Sequence, residues 1–180
     1  MPSFRTFRDA LAFLVVLTLV LMLVQKLGLV DLSAGAVQVV DGDSLRKGDT
    51  DIRLYGIDAP EYRQSCYDRN RVEYPCGKKA ANILRNLVKG HDVSCTSIDT
   101  DRYGRAVSTC KINSLDLNGE MVRQGWAVAY VRHSVSYVKL EAEARRARRG
   151  IWAGTFENPE DYRARTRSIH GDLTGEKLQD

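Results

Sequence analysis

A chain of 180 residues with 43% apolar and 28% charged side chains has material for one buried core and hardly for two, so one domain with appendages is expected. Its formal net charge of +4 falls to +2 once Arg5, Arg8, Lys26 and Asp9 are set aside, and so small an excess does not by itself mark a nucleic-acid binder. The four cysteines include no Cys-x-x-Cys pair, which argues against a structural zinc site.

Residues 1–30 differ in kind from the rest. From Ala10 to Val24 the only polar side chain is Thr18, and Leu27 to Val30 extend the run to roughly the 20 residues that span a bilayer. The expectation is a transmembrane helix with Arg5 and Arg8 on the cytoplasmic side. That topology places the protein in a bacterial cytoplasmic (inner) membrane as a single-pass protein, with its folded domain in the periplasm or otherwise outside the cytoplasm. The rival is a cleaved signal peptide and a secreted product, because Ala34-Gly35-Ala36 has the small-x-small form; its distance from the apolar run favours the uncleaved anchor. Residues 31–35 read as a linker, 36–160 as the folded domain and 161–180 as a polar tail that frays.

Within the domain, Ala36 to Val40 is strand-like and stops at Asp41-Gly42, and Lys47-Gly48-Asp49 marks a second turn. Asp51 to Ile57 reads as a strand ending at Asp58-Ala59-Pro60. Glu61 to Pro75 is polar and reads as a loop. Ala80, Ile83, Leu84, Leu87 and Val88 then recur at helical spacing, with Gly90 as the stop. Asp92–Ser97 and Arg105–Ile112 read as a hairpin around Asp101-Arg102-Tyr103-Gly104. A turn centred between Arg102 and Tyr103 makes residues summing to 205 face each other, which pairs Cys95 with Cys110 if the register holds. Cys66 and Cys76 bracket the polar loop and are expected to form the second disulfide, and both bonds need an oxidising compartment. A short helix over Leu115–Val122 ending at Gly125, a β stretch over Trp126–Val131, and a basic helix over Ser136–Arg149 closed by Gly150 complete the domain. Five or so strands with a helix between the third and fourth is the order of a small OB-type barrel.

Three short motifs carry the chemistry. Asp41-Gly42-Asp43-Ser44 does not open an EF-hand, because loop position 12 would be Ile52 rather than an acid. Asp43 and Asp58 are nevertheless hard oxygen donors suited to calcium, and Glu61 stands close enough in sequence to Asp58 to act as a base on a water there. Arg53 and Arg105 can each fork onto phosphate oxygens. Together these residues make a kit for phosphodiester hydrolysis. One difficulty is parity: in an unbroken strand Arg53 and Asp58 face opposite sides, so Gly56 is expected to mark a bulge or bend.

Val40-Asp41-Gly42-Asp43-Ser44, Arg53 to Glu61, Asp101 to Arg105 and Met121 to Ala127 resemble the staphylococcal nuclease family in order and spacing, and the likeness covers about residues 36 to 160. It implies a five-stranded OB-fold barrel with helices, here preceded by the N-terminal transmembrane helix, and calcium-dependent cleavage of DNA or RNA. It also implies Asp43, Asp58 and the carbonyl of Ala59 as calcium ligands, Glu61 as general base, Arg53 and Arg105 as phosphate contacts, and Tyr103 and Tyr130 as nucleotide contacts. Ser44 and Ala59 replace threonines of that family, and Arg132 stands near the place of a second tyrosine. The expected partners are nucleic acid and, through the N-terminal helix, membrane; no protein partner is inferred. Two readings compete: an OB module that binds single strands without cutting, and a scaffold for envelope or polysaccharide assembly.

Overall fold

The computed structural model describes residues 12–20, 22–23 and 37–175, with side chains described as far as Ile169. The chain divides into two units, residues 1–35 and 36–180. In the first, 12–20 and 22–23 are helical, with Phe13, Leu14, Val16 and Met22 exposed. Among the described residues no helix is long and apolar enough to cross a membrane; the expected span over residues 10–30 lies largely outside them.

The second unit contains, in chain order, β1 (Gln38–Val39), β2 (Ser44–Lys47), β3 (Thr50–Leu54), β4 (Ile57–Asp58), β5 (Cys66–Tyr67), β6 (Glu73–Tyr74), helix α1 (Cys76–Val88), β7 (Ser94–Thr100), β8 (Ala106–Ile112), β9 (Leu115–Asp116), α2 (Leu117–Arg123), β10 (Val128–Ala129), α3 (Val138–Arg146), a 3-10 turn (Gly150–Ala153) and α4 (Pro159–Gly175). The main sheet runs β1-β2-β3-β8-β7, with β9 also on β8. Among the described residues only the β3–β8 pairing of this sheet is parallel. Beside it lie two small sheets, β10-β4 and β5-β6. The mixed α+β architecture agrees with the sequence reading, but the expected barrel does not close: among the described residues β1 and β7 stand at opposite edges of the sheet order. The strand that would continue β3 leaves the sheet and pairs with β10 instead.

That departure resolves the parity difficulty. β3 ends at Leu54, Tyr55-Gly56 forms a turn, and β4 resumes at Ile57. Gly56 has φ 74°, a left-handed conformation costing a residue with a Cβ roughly 1–2 kcal/mol. A Cβ there would also lie 3.1 Å from both Ser134 and Tyr137. Buried Asn118 secures the same corner: its side-chain amide donates to the carbonyls of Tyr55 at 3.0 Å and Ser108 at 3.1 Å, and its oxygen accepts from the Cys110 N–H at 3.0 Å.

The core follows from alternation and helical spacing. Ile52 and Leu54 on β3, and Ser108, Cys110 and Ile112 on β8, are buried at period two. Ala80, Leu84 and Val88 of α1 are buried with Leu117, Met121 and Val122. Both expected disulfides are present, Cys66–Cys76 and Cys95–Cys110. Cys95 faces Cys110 as the sum of 205 requires, but the turn end pairs Asp99 with Val107 and Thr100 with Ala106, a sum of 206, and an irregularity between Ser97 and Asp99 restores the register. The expected pairing is thus reached through a bulge at Ile98 that the arithmetic did not contain.

Two further expectations are corrected. The polar loop between Glu61 and Pro75 holds a short hairpin, Cys66 opposite Tyr74 and Tyr67 opposite Glu73. The segment after Pro159, expected to fray, is helical over its described residues, through Gly175. The Asn158 side chain accepts from the Glu160 N–H at 3.1 Å, Pro159 opens the helix and Glu160 and Asp161 complement its dipole.

Gly56→Ala is expected to lower the unfolding free energy by about 1–2 kcal/mol, measured by urea denaturation, because the new Cβ meets both a disfavoured φ and the Tyr137 ring. Wild-type stability for this variant would show that the corner tolerates an ordinary residue.

Candidate active site

The turn that presents Asp43 is built by its own polar groups. The Asp43 N–H donates to Asp41 Oδ1 at 3.0 Å, and the Asp43 carbonyl accepts from the Leu54 N–H at 2.8 Å, tying the turn to the end of β3. β2 and β3 pair so that Ser44 lies opposite Arg53, which sets the guanidinium beside the turn. Arg53 Nη1 donates to Asp43 Oδ1 at 3.1 Å, and Nη2 to Asp58 Oδ1 at 2.8 Å. The other oxygen of Asp43 accepts from the Ala59 N–H at 2.9 Å. Asp43 and Asp58 are both buried, the Asp58 side chain with no exposed surface. Two sequence-predicted carboxylates and one arginine thus form a single cluster, and β4 is held to it by the pairing of Asp58 with Val128.

Glu61 enters from the loop after Pro60 and is fixed by contacts that no motif announced. Gln64 is fully buried. Its side-chain oxygen accepts from the Glu61 N–H at 3.1 Å, its N–H donates to the Glu61 carbonyl at 2.7 Å, and its side-chain amide donates to the carbonyl of distant Glu157 at 2.7 Å. Gly77 opens α1 so close to this loop that a Cβ would sit 1.7 Å from the Glu61 carbonyl oxygen, and the Cys66–Cys76 bond closes the same loop covalently. On the side-chain side, Arg163 of α4 donates through Nη1 to Glu61 Oε1 at 2.9 Å and Asp58 Oδ1 at 2.8 Å, and through Nη2 to Asp58 Oδ2 at 2.9 Å. Sequence reading missed Gln64 and Arg163 because their roles depend on partners about a hundred residues away. The cap signal Asn158-Pro159-Glu160-Asp161 was available to reveal α4, though not its docking.

The electrostatics show a cluster rich in negative charge. Burial, reinforced by the charge of Asp43, raises the Asp41 carboxyl to about 7. Burial also pushes Asp58 upward, against the opposing pull of the Arg163 and Arg53 guanidinium groups. Among the described residues no three His, Cys, Asp or Glu side chains converge as a ready-made metal cage. The donor chemistry nevertheless fits a hard cation: the Asp43 and Asp58 carboxylates and the adjoining Ala59 carbonyl would offer it oxygen donors, and Asp58 already holds cationic groups on both oxygens.

Arg105 stands next to the cluster rather than in it. The parallel pairing of β3 with β8 puts Val107 beside Arg53, while Arg105 Nε donates to Asp101 Oδ2 at 2.7 Å within the turn. Burial works against the ionised form of Asp101, but hydrogen bonds from the Arg105 and Tyr103 main chain and the Arg105 guanidinium outweigh it and hold the carboxyl below its ordinary value. Tyr103 is 66% exposed, with the Arg102 and Arg105 guanidinium groups 4.8 and 5.5 Å from its ring centre. The Tyr130 N–H donates to the Gly56 carbonyl at 2.9 Å, and its ring lies 4.8 Å from that of His133. Arg132 pairs with Glu160 of α4 at 2.9 Å.

Comparison with known proteins bears on these residues. Residues 51–154 match the family model described as "Staphylococcal nuclease homologue". The chain is 30% identical over 141 residues to a "Succinoglycan biosynthesis protein ExoI" of Rhizobium meliloti, covering 77% of this chain and 74% of that protein. It is 33% identical over 130 residues to an "Uncharacterized endonuclease" of Escherichia coli O157:H7, covering 68% and 78%. A "Probable endonuclease LCL3" of Schizophyllum commune is 33% identical over 134 residues, 63% of this chain but only 44% of the fungal protein's length.

Removing Arg53 leaves two buried carboxylates short of their shared cation. Arg53→Ala is therefore expected to cost about 3–5 kcal/mol of stability, measured by denaturant unfolding in the presence of chelator. A loss below about 1 kcal/mol, the range of an exposed pair, would contradict the cluster.

Proposed function

The chain belongs to the staphylococcal nuclease family, and from that premise we propose that it is a calcium-dependent nuclease that hydrolyses phosphodiester bonds of DNA, RNA or both. The observation that carries this reading is that Arg53 joins Asp43 to Asp58, and Arg163 joins Asp58 to Glu61, through hydrogen bonds of 2.8–3.1 Å. In the proposal Asp43, Asp58 and the Ala59 carbonyl hold the cation. When bound, calcium supplies the charge that neutralises phosphoryl oxygens and eases ionisation of a water. Arg53 and Arg105 place planar donors where negative charge grows on the phosphoryl group. Glu61, anchored by Gln64, accepts the proton of the attacking water. Tyr103 and Tyr130 offer aromatic faces to the substrate's bases or sugars.

A module that only binds nucleic acid has no need for three carboxylates linked through two guanidinium groups, which supports cutting. The polysaccharide reading draws its support from the name of the Rhizobium relative. An activity assay separates it from the nuclease reading.

Location outside the cytoplasm, with residues 1–30 as an anchor, 31–35 as linker and the OB-type domain from residue 36, is part of the same proposal. Two disulfides support it, since such bonds persist in oxidising compartments. Cell fractionation with N-terminal sequencing is expected to find the intact chain in the membrane fraction. A soluble mature form beginning near Val37 would replace the anchor with a cleaved signal.

Asp43→Ala is expected to abolish cleavage of plasmid DNA and RNA, and chelator to do the same to the wild type. Arg105→Lys keeps the charge but loses the fork; it is expected to lower turnover about 10²-fold or more, the scale of removing one transition-state donor, with a smaller change in nucleic-acid affinity. Undiminished cleavage in chelator or by Asp43→Ala would end the metal-dependent mechanism. Tight binding with no cleavage under any condition would favour the binding module.

A further inference from the structure

Arg163 lies outside every motif of the catalytic kit, yet it takes up more of Asp58 than Arg53 does. Asp58 Oδ1 accepts from both Arg53 and Arg163, and Oδ2 accepts from Arg163 again. A carboxylate has about four acceptor positions, so three are filled before any metal arrives. The Asp58 side chain has no exposed surface, whereas those of Arg163 and Glu61 are 26% and 34% exposed. Solvent therefore meets Arg163 and Glu61 before it meets Asp58.

We infer that Arg163 is a tethered cation that competes with the divalent metal for Asp58 and Glu61, so that metal entry and undocking of the start of α4 are coupled. This inference rests on the calcium site proposed above.

The two arginines on Asp58 are held differently. Arg53 belongs to β3, lies opposite Ser44 in the ladder and also binds Asp43; it stays with the sheet. Arg163 belongs to a helix with little apolar attachment: from Pro159 to Ile169 only Pro159 is buried. Two further ion pairs hold the start of this helix, Arg132–Glu160 and Arg165–Glu157, each with one partner more than half exposed. An element held by few buried contacts opens locally at low cost.

Charge gives the exchange its direction. In the cation-free protein Arg163 lends one positive charge to Asp58 and Glu61 and restrains their mutual repulsion. A divalent ion brings twice that charge in a smaller volume and prefers carboxylate oxygen. Linkage is reciprocal: by whatever factor docked Arg163 weakens calcium binding, bound calcium weakens docking. An orienting role for Arg163 predicts the opposite sign, because removing it would then loosen Asp58 and Glu61 and weaken calcium binding.

The test uses the full-length protein without nucleic acid. Calcium affinity is measured by titration calorimetry for wild type, Arg163→Gln and Arg165→Gln, and amide hydrogen exchange is followed over residues 159–169 with and without saturating calcium. Arg163→Gln is expected to bind calcium about tenfold more tightly than wild type; Arg165→Gln, which loosens the helix but leaves the competing cation in place, is expected to bind at least as tightly as wild type and less tightly than Arg163→Gln. Exchange in 159–169 of the wild type is expected to quicken on saturation. Equal or weaker calcium binding by Arg163→Gln would overturn the inference and leave the calcium site standing, whereas calcium binding by neither protein would overturn both. If Arg163→Gln does not fold, the wild-type exchange decides alone: unchanged or slower exchange on saturation overturns the coupling.

Discussion

Two carboxylates buried side by side govern much of this architecture. Asp43 comes from the turn before β2 and Asp58 from β4, outside the main sheet; both are almost wholly removed from water, and burying such groups is costly unless they are paired and hydrogen-bonded. The sheet meets that demand by bringing Arg53 of β3 between them. This requires β3 to present Arg53 and the next strand to present Asp58 to the same place, which a continuous strand cannot do. The left-handed Gly56, the diversion of β4 to β10 and the Asn118 bracket all serve that one requirement.

The position of Glu61 depends on a different kind of support. Its main chain is gripped on both sides by one buried glutamine, and that glutamine is bonded to a carbonyl just before α4. The loop closed by Cys66–Cys76 and the bare backbone of Gly77 complete the grip. The proposed role of Glu61 as a base would require its side chain to be held within fractions of an ångström, and contacts from three separate parts of the chain hold its loop.

Much of this was legible in the sequence where the relevant physics is local. Helical spacing located α1, hairpin arithmetic found Cys95 and Cys110, and the parity of Arg53 and Asp58 demanded a bend that Gly56 supplies. The arithmetic succeeded through compensation, since it misplaced the turn by half a residue and omitted the bulge. Barrel closure, the burial of Gln64 and the reach of Arg163 were not legible, because each is decided by contacts distant in sequence. The helix after Asn158 is a different failure: its cap residues were in plain view, and the polar composition of residues 161–180 outweighed them.

The hairpin of β7 and β8 has a consequence for how such a protein changes over generations. Its far end is fastened at Cys95–Cys110, and β8 is further fixed by its parallel neighbour β3. The extra residue at Ile98 lies between that fastening and the turn carrying Tyr103 and Arg105. A one-residue gain or loss near the turn can therefore be absorbed by creating, moving or removing a bulge, without unpairing the cysteines or shifting β8. The turn proposed to meet substrate is therefore one whose length can drift at little expense to the sheet. Lineages can vary it while the cluster around Arg53 stays in place.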